Sequence, residues 1–226
     1  MGCMYKANGL YSRMSVGAIL LAAGAGSRIG GRPKALLELG GVPLIMRQLI
    51  ALSGAGVDEV VVVLGHHAQA IEAAISSLPI TVVKNPNPDD GQASSVRIGL
   101  QALSPKLDAI MVALADQPMV DAADVTALIS AFRKRGDKSM VVPRYVTPAA
   151  GSAPGNPVIF DAALKDQWLA GGIELSCRNW REKHPETVAW MDTENQHFFM
   201  DIDTPADLEK FTLHTGHELK WPAMFA

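Results

Sequence analysis

Cysteine is almost missing from this chain: among 226 residues only Cys3 and Cys177 carry a thiol. Two thiols so far apart, with no C-x-x-C spacing, speak against a disulfide framework or a zinc knuckle and suit a reducing compartment. Excess charge is missing too. The formal net charge of -3 provides no basic field, so nucleic acid is not an expected partner. No apolar run approaches the ~18 residues of a membrane span, so no membrane partner is expected either. Residues 1–15 lack the apolar core of a secretion signal, and Met1-Gly2-Cys3 fails as a myristoylation site because Lys6 stands where Ser or Thr is needed. There is no internal repeat and no low-complexity tract. What remains is a chain with 48% hydrophobic residues, enough for one large α/β domain or two small ones. The expected layout is a flexible leader over 1–14 (with Met14 as an alternative start), one domain over 15–213 and a tail over 214–226, in a cytoplasmic protein.

The most informative stretch runs from Ala18 to Leu39, AILLAAGAGSRIGGRPKALLEL. The apolar run Val16–Leu21 is too short for a globular helix and suits a buried strand. A turn punctuated by Gly24, Gly26, Gly30 and Gly31 follows, with Arg28 inside it and Lys34 after it. Glycine lets backbone N–H groups approach an anion and the two side chains add charge, so the stretch suits phosphate. It is not a P-loop, because Lys34 follows Pro33 and precedes Ala35. It is not a dinucleotide fingerprint either, because Ile29 occupies the third glycine position counted from Gly24. From the glycines alone, a surface turn with solvated cations stays open.

Downstream, Pro43 suits a first helical position, with Leu44, Ile45, Leu49 and Leu52 as the apolar stripe. Asp58–Leu64 reads as a buried strand, His67–Ser77 as a helix and Ile80–Val83 as a strand, an order that argues for a parallel sheet covered on both faces. His66 and His67 are adjacent, the wrong spacing for a helical ligand pair, and are given structural or solvent-facing roles. The cluster Asn85–Gly91 is a loop, and Ser94 or Ser95 is expected to cap the next helix. Ala109–Ala113 is a further buried strand running into Asp116, at a strand end where such sheets bind ligands. Asp121 is expected to cap a helix over Ala122–Lys134. Met140–Pro143 is a short strand, Tyr145–Pro154 a mobile loop, Asp161–Leu169 a helix and Val188–Met191 a strand. Thr204-Pro205 opens a last helix with Leu208 and Phe211 inside. Cys177 is expected to be a small buried thiol, and His214 and His217 to lie in a tail that is disordered or packed.

Five blocks of this chain, in order from Ala18 to Leu208, resemble those of the molybdopterin nucleotidyltransferase family, with the molybdenum cofactor cytidylyltransferase branch nearest. LAAG…R-I-G followed by P-K-A-L-L resembles the signature loop, which wraps a nucleoside triphosphate. The resemblance implies nucleotide contacts from Leu21, Ala22, Ala23, Gly24, Gly26 and Ser27, with Arg28 and Lys34 on the phosphates. GQASSVRIGL resembles a block beside the nucleotide base, implying Gln92, Ser94 and Ser95 there. ADQP resembles the aspartate motif that binds Mg²⁺, which makes Asp116 both catalytic and a metal ligand. GNPVIF resembles a second-substrate block and implies Gly155, Asn156 and Pro157. DIDTPADL resembles the closing motif, with Asp203 the second ligand and Asp201 the next choice. The fold implied is three-layer α/β/α, a Rossmann-like, mostly parallel twisted sheet with a small antiparallel part.

The activity implied is Mg²⁺-dependent transfer of CMP from CTP to a molybdopterin-type cofactor, with a molybdenum hydroxylase or its chaperone as partner. Two features keep the base open: Ala22-Ala23-Gly24 favours the cytidylyl branch, whereas the Arg28-to-Lys34 spacing is nearer the guanylyl one. At Gly171–Arg181 the chain departs from the family pattern, and Arg178, Arg181 and Lys183 could bind a phosphate there or be solvated. The alternatives are a guanylyl- or sugar-nucleotidyltransferase, an NAD(P)H-dependent oxidoreductase, and a non-catalytic cofactor carrier.

Overall fold

Alternation along the first strand, β1 (Val16–Ala22), sets the architecture. Val16, Ala18, Leu20 and Ala22 face one apolar cluster while Ile19 and Leu21 face another. A strand apolar on both sides must be covered on both sides, which is the parallel-sheet situation. The computed structural model describes residues 13–147, 151–171 and 176–225.

After β1 come the two-residue strands β2 (Glu38–Leu39) and β3 (Val42–Pro43), then helix α1 (Leu44–Gly54), β4 (Glu59–Leu64), α2 (Ala68–Ile75) and β5 (Thr81–Lys84). Next are α3 (Gln92–Ala102), β6 (Ala109–Leu114), α4 (Ala122–Arg133), β7 (Met140–Thr147), β8 (Gly151–Pro154) and β9 (Val158–Asp161). The chain ends with α5 (Leu164–Ala170), α6 (Cys177–Lys183), β10 (Val188–Thr193), α7 (Pro205–Thr215) and β11 (Leu219–Lys220). Among the described residues the main sheet has eight strands in the order β10-β7-β9-β6-β1-β4-β5, with β8 paired to β7. β1 runs parallel to both β4 and β6, β4 to β5, and β7 to β10. β9 is antiparallel to both β6 and β7. A second sheet, β11-β2-β3, is antiparallel.

The central strands β1, β4 and β6 send alternate residues to the two clusters, Val62 and Met111 to one and Val61 and Ile110 to the other. α1 and α4 cover the first face, and α3 and α5 the second. α3 lies so close to β1 that a Cβ on Gly99 would sit 2.4 Å from Ile19 Cγ2. The fold is therefore the three-layer, mostly parallel α/β arrangement with a small antiparallel sheet. No helix of the described residues is long and apolar enough to cross a membrane.

Several local expectations change. α3 begins at Gln92 with Gly91 as its N-cap and no side-chain cap, so neither Ser94 nor Ser95 is the capping residue. Asn85 Nδ2 donates to both hydroxyls, at 2.8 and 3.0 Å, and turns them inward. Pro43 is the N-cap of α1, paired in β3, rather than the first helical residue. Tyr145–Pro154 is not a loop: β7 continues to Thr147 and pairs antiparallel with β8, although 148–150 lie outside the described residues. α5 starts at Leu164, later than the expected helix. Residues 1–12 of the expected leader and 172–175 of the divergent 171–181 stretch also lie outside the described residues. Of the leader, Arg13 pairs with Asp58 at 3.1 Å and Met14 packs on the core. Beyond residue 213, α7 runs on to Thr215, and β11 then pairs with β2.

Candidate functional site

β1 delivers its last residues to the carboxyl edge of the sheet, where the chain turns through glycine. Gly26 adopts φ 64°, and its carbonyl accepts from the N–H groups of Ile29 and Gly31, both at 2.9 Å. A side chain could not replace its hydrogen: a Cβ there would stand 2.1 Å from the Arg32 carbonyl. Ser27–Ile29 form a single 3-10 turn with Ser27 and Arg28 exposed and Ile29 buried. Lys34 begins a second such turn, Lys34–Leu36, which buries Ala35 and Leu36 and points the ammonium back toward the sheet edge.

There Lys34 meets two carboxylates. Its Nζ donates to Asp116 Oδ2 at 2.5 Å and to Asp203 Oδ1 at 2.6 Å. Arg28 Nη2 lies 2.9 Å from Asp203 Oδ2. Burial alone would lower the pKa of Lys34, but the charges and hydrogen bonds of Asp116 and Asp203 outweigh it and hold the ammonium above its usual range. Asp116 sits in the turn after β6, and Asp203 precedes Thr204, the N-cap of α7. Asp116 Oδ1 is buried and has no hydrogen-bond partner among the described residues. Asp201 completes the acidic group. Its carboxyl is pushed up to about 6 by burial and by the charge of Asp116, against the hydrogen bond from Gln117.

The expected site residues separate into groups. Leu21, Ala22, Gly24, Lys34 and Asp116 line one cavity of about 80 Å³. Ala23 is in the adjoining backbone, where its carbonyl accepts from His66 N at 3.4 Å. Gln92 is exposed at the start of α3, and Ser94 and Ser95 are buried one turn in. Gly155 and Asn156 pack beside Phe198, with Asn156 N donating to the Phe198 carbonyl at 2.9 Å, and the Asn156–Pro157 bond is cis. That same carbonyl accepts from Gln117 Nε2 at 3.2 Å, which ties the Gly155–Pro157 turn to the acidic group. Among the three cations of the divergent stretch, Arg178 pairs with Glu182 at 2.9 Å on α6. Cys177 is half-buried against the second apolar cluster, and burial pushes its thiol up to about 12.

Other residues contribute through partners that their local sequence does not reveal. His67 Nε2 lies 3.0 Å from the Ala25 carbonyl and steadies the glycine turn, and His66 Nε2 lies 2.9 Å from Asp89 Oδ1. Gln117 is fully buried and donates to Asp201 Oδ1 at 3.0 Å. Asp124 accepts from Asn195 Nδ2 at 2.6 Å, lies 2.8 Å from His197 Nδ1, and so fastens the segment that carries Phe198 and Phe199. Asp121, Asp124 and His197 could approach one cation, but both oxygens of Asp124 are already engaged by protein donors. Arg32 stacks 4.4 Å from the Trp221 ring and donates to the Phe225 carbonyl at 3.1 Å, so the end of the chain braces the loop. His67 and Asp124 are ordinary in sequence, and only their distant partners give them a role.

Comparison with known proteins agrees with this geometry. Residues 18–188 match the MobA-like NTP transferase domain. The chain is 32% identical over 188 residues to nicotine blue oxidoreductase of Paenarthrobacter nicotinovorans, covering 82% of this chain and 91% of that protein. It is 35% identical over 154 residues to the 2-C-methyl-D-erythritol 4-phosphate cytidylyltransferase of Streptomyces coelicolor, covering 62% of this chain and 56% of that protein. Among solved structures, Rv0371c of Mycobacterium tuberculosis superposes with a TM-score of 0.72 at 25% identity, over 88% of this chain and 98% of that one. With its signature loop, its acid pair and its sheet arranged as described, this chain belongs to the MobA-like NTP transferase family of the nucleotidyltransferase superfamily.

Proposed function

We propose that the protein is a Mg²⁺-dependent cytidylyltransferase that joins CMP from CTP to the terminal phosphate of a molybdopterin-type cofactor and releases pyrophosphate. The observation that carries the transfer reading is the Asp116–Lys34–Asp203 cluster at the end of β1 and β6. The residues fit a hard divalent cation. They are carboxylate oxygens, one of them is buried without a partner, and a lysine ammonium at present supplies the positive charge between them. Asp116 and Asp203 would hold Mg²⁺, with Asp201 alongside. The cation, when bound, neutralises charge on the α-phosphate and the leaving pyrophosphate.

The remaining work falls to positioning. Arg28 and Lys34 reach the phosphates from the loop. With a triphosphate present, Lys34 exchanges its carboxylate partners for phosphate oxygens. An oxygen of the acceptor phosphate then forms a bond to the α-phosphorus while the bond to the α–β bridging oxygen breaks, and pyrophosphate leaves with that electron pair. An ionised phosphate nucleophile needs no protein base. The cytidylyl choice rests on Ala22-Ala23-Gly24 and the GQASSVRIGL block, with Gln92 and the α3 start near the base, and on a relative named as a cytidylyltransferase. The molybdopterin acceptor rests on the family resemblance, with Gly155, Asn156 and Pro157 on the acceptor side. A cytoplasmic location and a molybdenum hydroxylase or its chaperone as recipient follow from the same reading.

The test is pyrophosphate release with Mg²⁺, molybdenum cofactor and each of CTP, GTP, ATP and UTP. Release with CTP alone, lost in Asp116→Ala, is the expected result. Release with GTP alone overturns the base assignment and keeps the mechanism. A second reading is favoured by one observation, the relative named nicotine blue oxidoreductase. It requires NAD(P)H oxidation that is indifferent to Mg²⁺ and to Asp116→Ala, and a spectrophotometric assay separates the two.

A further inference from the structure

In sheet order β4 lies between β1 and β5 and runs parallel to both, with Leu64 paired to Ala22 on one side and to Lys84 on the other. The turn after β4, Gly65-His66-His67, therefore leaves the sheet between two loops. On one side is the signature loop, and on the other is the 85–91 segment that leads into Gln92. The two imidazoles of this turn have no part in the chemistry described above.

We propose that the His66–His67 turn is a two-armed bracket that positions the nucleotide, with His67 orienting the phosphate-side peptide Ala25–Gly26 and His66 holding the base-side segment through Asp89. The proposal rests on the nucleotidyl-transfer reading and names what sets the span between the phosphate and base ends of that site. Both histidines are positioning residues.

The contacts along the turn carry it. Gly65 lies so close to the signature loop that a Cβ there would stand 2.4 Å from the Ala23 carbonyl oxygen. That carbonyl accepts from His66 N at 3.4 Å. His67 is the N-cap of α2, yet its side chain makes no capping bond. Its Nε2 lies instead 3.0 Å from the Ala25 carbonyl, in a partly buried contact. A carbonyl oxygen only accepts, so Nε2 is the donor. In a trans peptide the C=O and the following N–H point to opposite sides, so holding the Ala25 carbonyl also fixes the direction of the Gly26 N–H. The N–H groups of Gly24, Ala25 and Gly26 have no acceptor among the described residues, and successive N–H groups of this kind suit an anion.

The second arm is looser. His66 Nε2 lies 2.9 Å from Asp89 Oδ1, with the His66 side chain 31% exposed and that of Asp89 86%. Asp89 belongs to the 3-10 turn Pro88–Asp90, and the next residue, Gly91, is the N-cap of α3. The segment is tied into one piece, because Asn85 Oδ1 accepts from Asn87 N at 2.9 Å while Asn85 Nδ2 donates to Ser94 and Ser95. Holding Asp89 therefore holds the approach to Gln92. Both arms spring from the end of one buried strand, so two adjacent residues set the separation of the two loops.

The experiment is calorimetric titration of the full chain, with Mg²⁺ present, by CTP and by tripolyphosphate, which offers phosphates without a base. His67→Leu is expected to weaken both ligands about fivefold to tenfold, and His67→Gln, whose amide can donate to the same carbonyl, to restore most of the loss. His66→Leu is expected to weaken CTP about twofold to threefold and leave tripolyphosphate unchanged, with His66→Gln restoring CTP. Wild-type affinity for CTP in His67→Leu overturns the bracket, and so does a loss of CTP without a loss of tripolyphosphate in that variant. Equal losses in His67→Leu and His67→Gln, with equal falls in thermal stability, overturn it in favour of a purely structural role. Equal losses of both ligands in His66→Leu overturn the assignment of that arm to the base side. If the affinities follow both histidines while no nucleotide yields pyrophosphate with molybdenum cofactor, the transfer reading falls and the bracket stands. If pyrophosphate release holds and KM for CTP ignores both histidines, the bracket falls and the transfer reading stands.

Discussion

The two ends of the site are built in opposite ways. At the signature loop the cavity is about 80 Å³, and Lys34 on its wall is already paired with Asp116 and Asp203. At α7 the cavity is about 690 Å³, and its cation, Lys210, is only loosely paired. The closed end is self-neutralised, so a triphosphate with its cation can enter only by redistributing charge already in place. The open end has little to rearrange and can discriminate by shape. The first end is dominated by charge-assisted hydrogen bonds in a partly buried site, the second by an aromatic pair beside one exposed cation.

Four substitutions break or sharpen the contrast, taken from the largest effect to the smallest. Asp116→Ala removes the carboxylate with the unpartnered buried oxygen, and pyrophosphate release should fall by a factor of about a thousand or more. Near wild-type turnover would move the reaction away from the closed end altogether. Lys34→Met should cut turnover roughly a hundredfold. Because the methionine no longer competes for the acids, the same variant should bind Mn²⁺ or Mg²⁺ more tightly without nucleotide, as read by calorimetric titration. Weaker metal binding in this variant would show that the ammonium is not a stand-in for cation charge.

Asp124→Ala bears on the open end. It strands the donors of Asn195, His197 and the Asp121 backbone and should lower the stability of the fold by about 2–4 kcal/mol in urea unfolding. Acceptor KM should rise in this variant while CTP binding holds, because the segment it fastens carries Phe199. A matched rise in both would mean that the two ends are not independent. Trp221→Ala removes the ring stacked on Arg32 and should raise KM for CTP only about twofold to fivefold, with acceptor KM unchanged.

Much of this fold is legible in the sequence because it is dictated locally. The alternation in Val16–Ala22 and the valine run in Glu59–Leu64 require strands buried on both faces, and the βαβαβ order requires parallel neighbours. Asp121 and Thr204 read as N-caps and are N-caps, each with a reciprocal bond from the acid three residues on. The site is legible to the extent that Arg28, Lys34, Asp116 and Asp203 come together around one point. Where local reading fails, a long-range partner overrides it. Ser94 and Ser95 are good capping residues, but Asn85 draws their hydroxyls inward. The Pro-, Ala- and Gly-rich stretch before Gly155 looks like a loop, but β7 offers it a strand to pair with.

The sequence by itself determined the central buried strands, the starts of α4 and α7, the glycine turn and the chemical types in the site, because each follows from periodicity or from backbone freedom over a few residues. Only the tertiary structure decided that Lys34 would be clasped by acids 82 and 169 residues away. It alone decided that one face of α7 would wall a cavity, and that β11 would bring Trp221 onto Arg32. Those arrangements depend on strand register and on which element the chain returns to, and no short stretch of sequence encodes either.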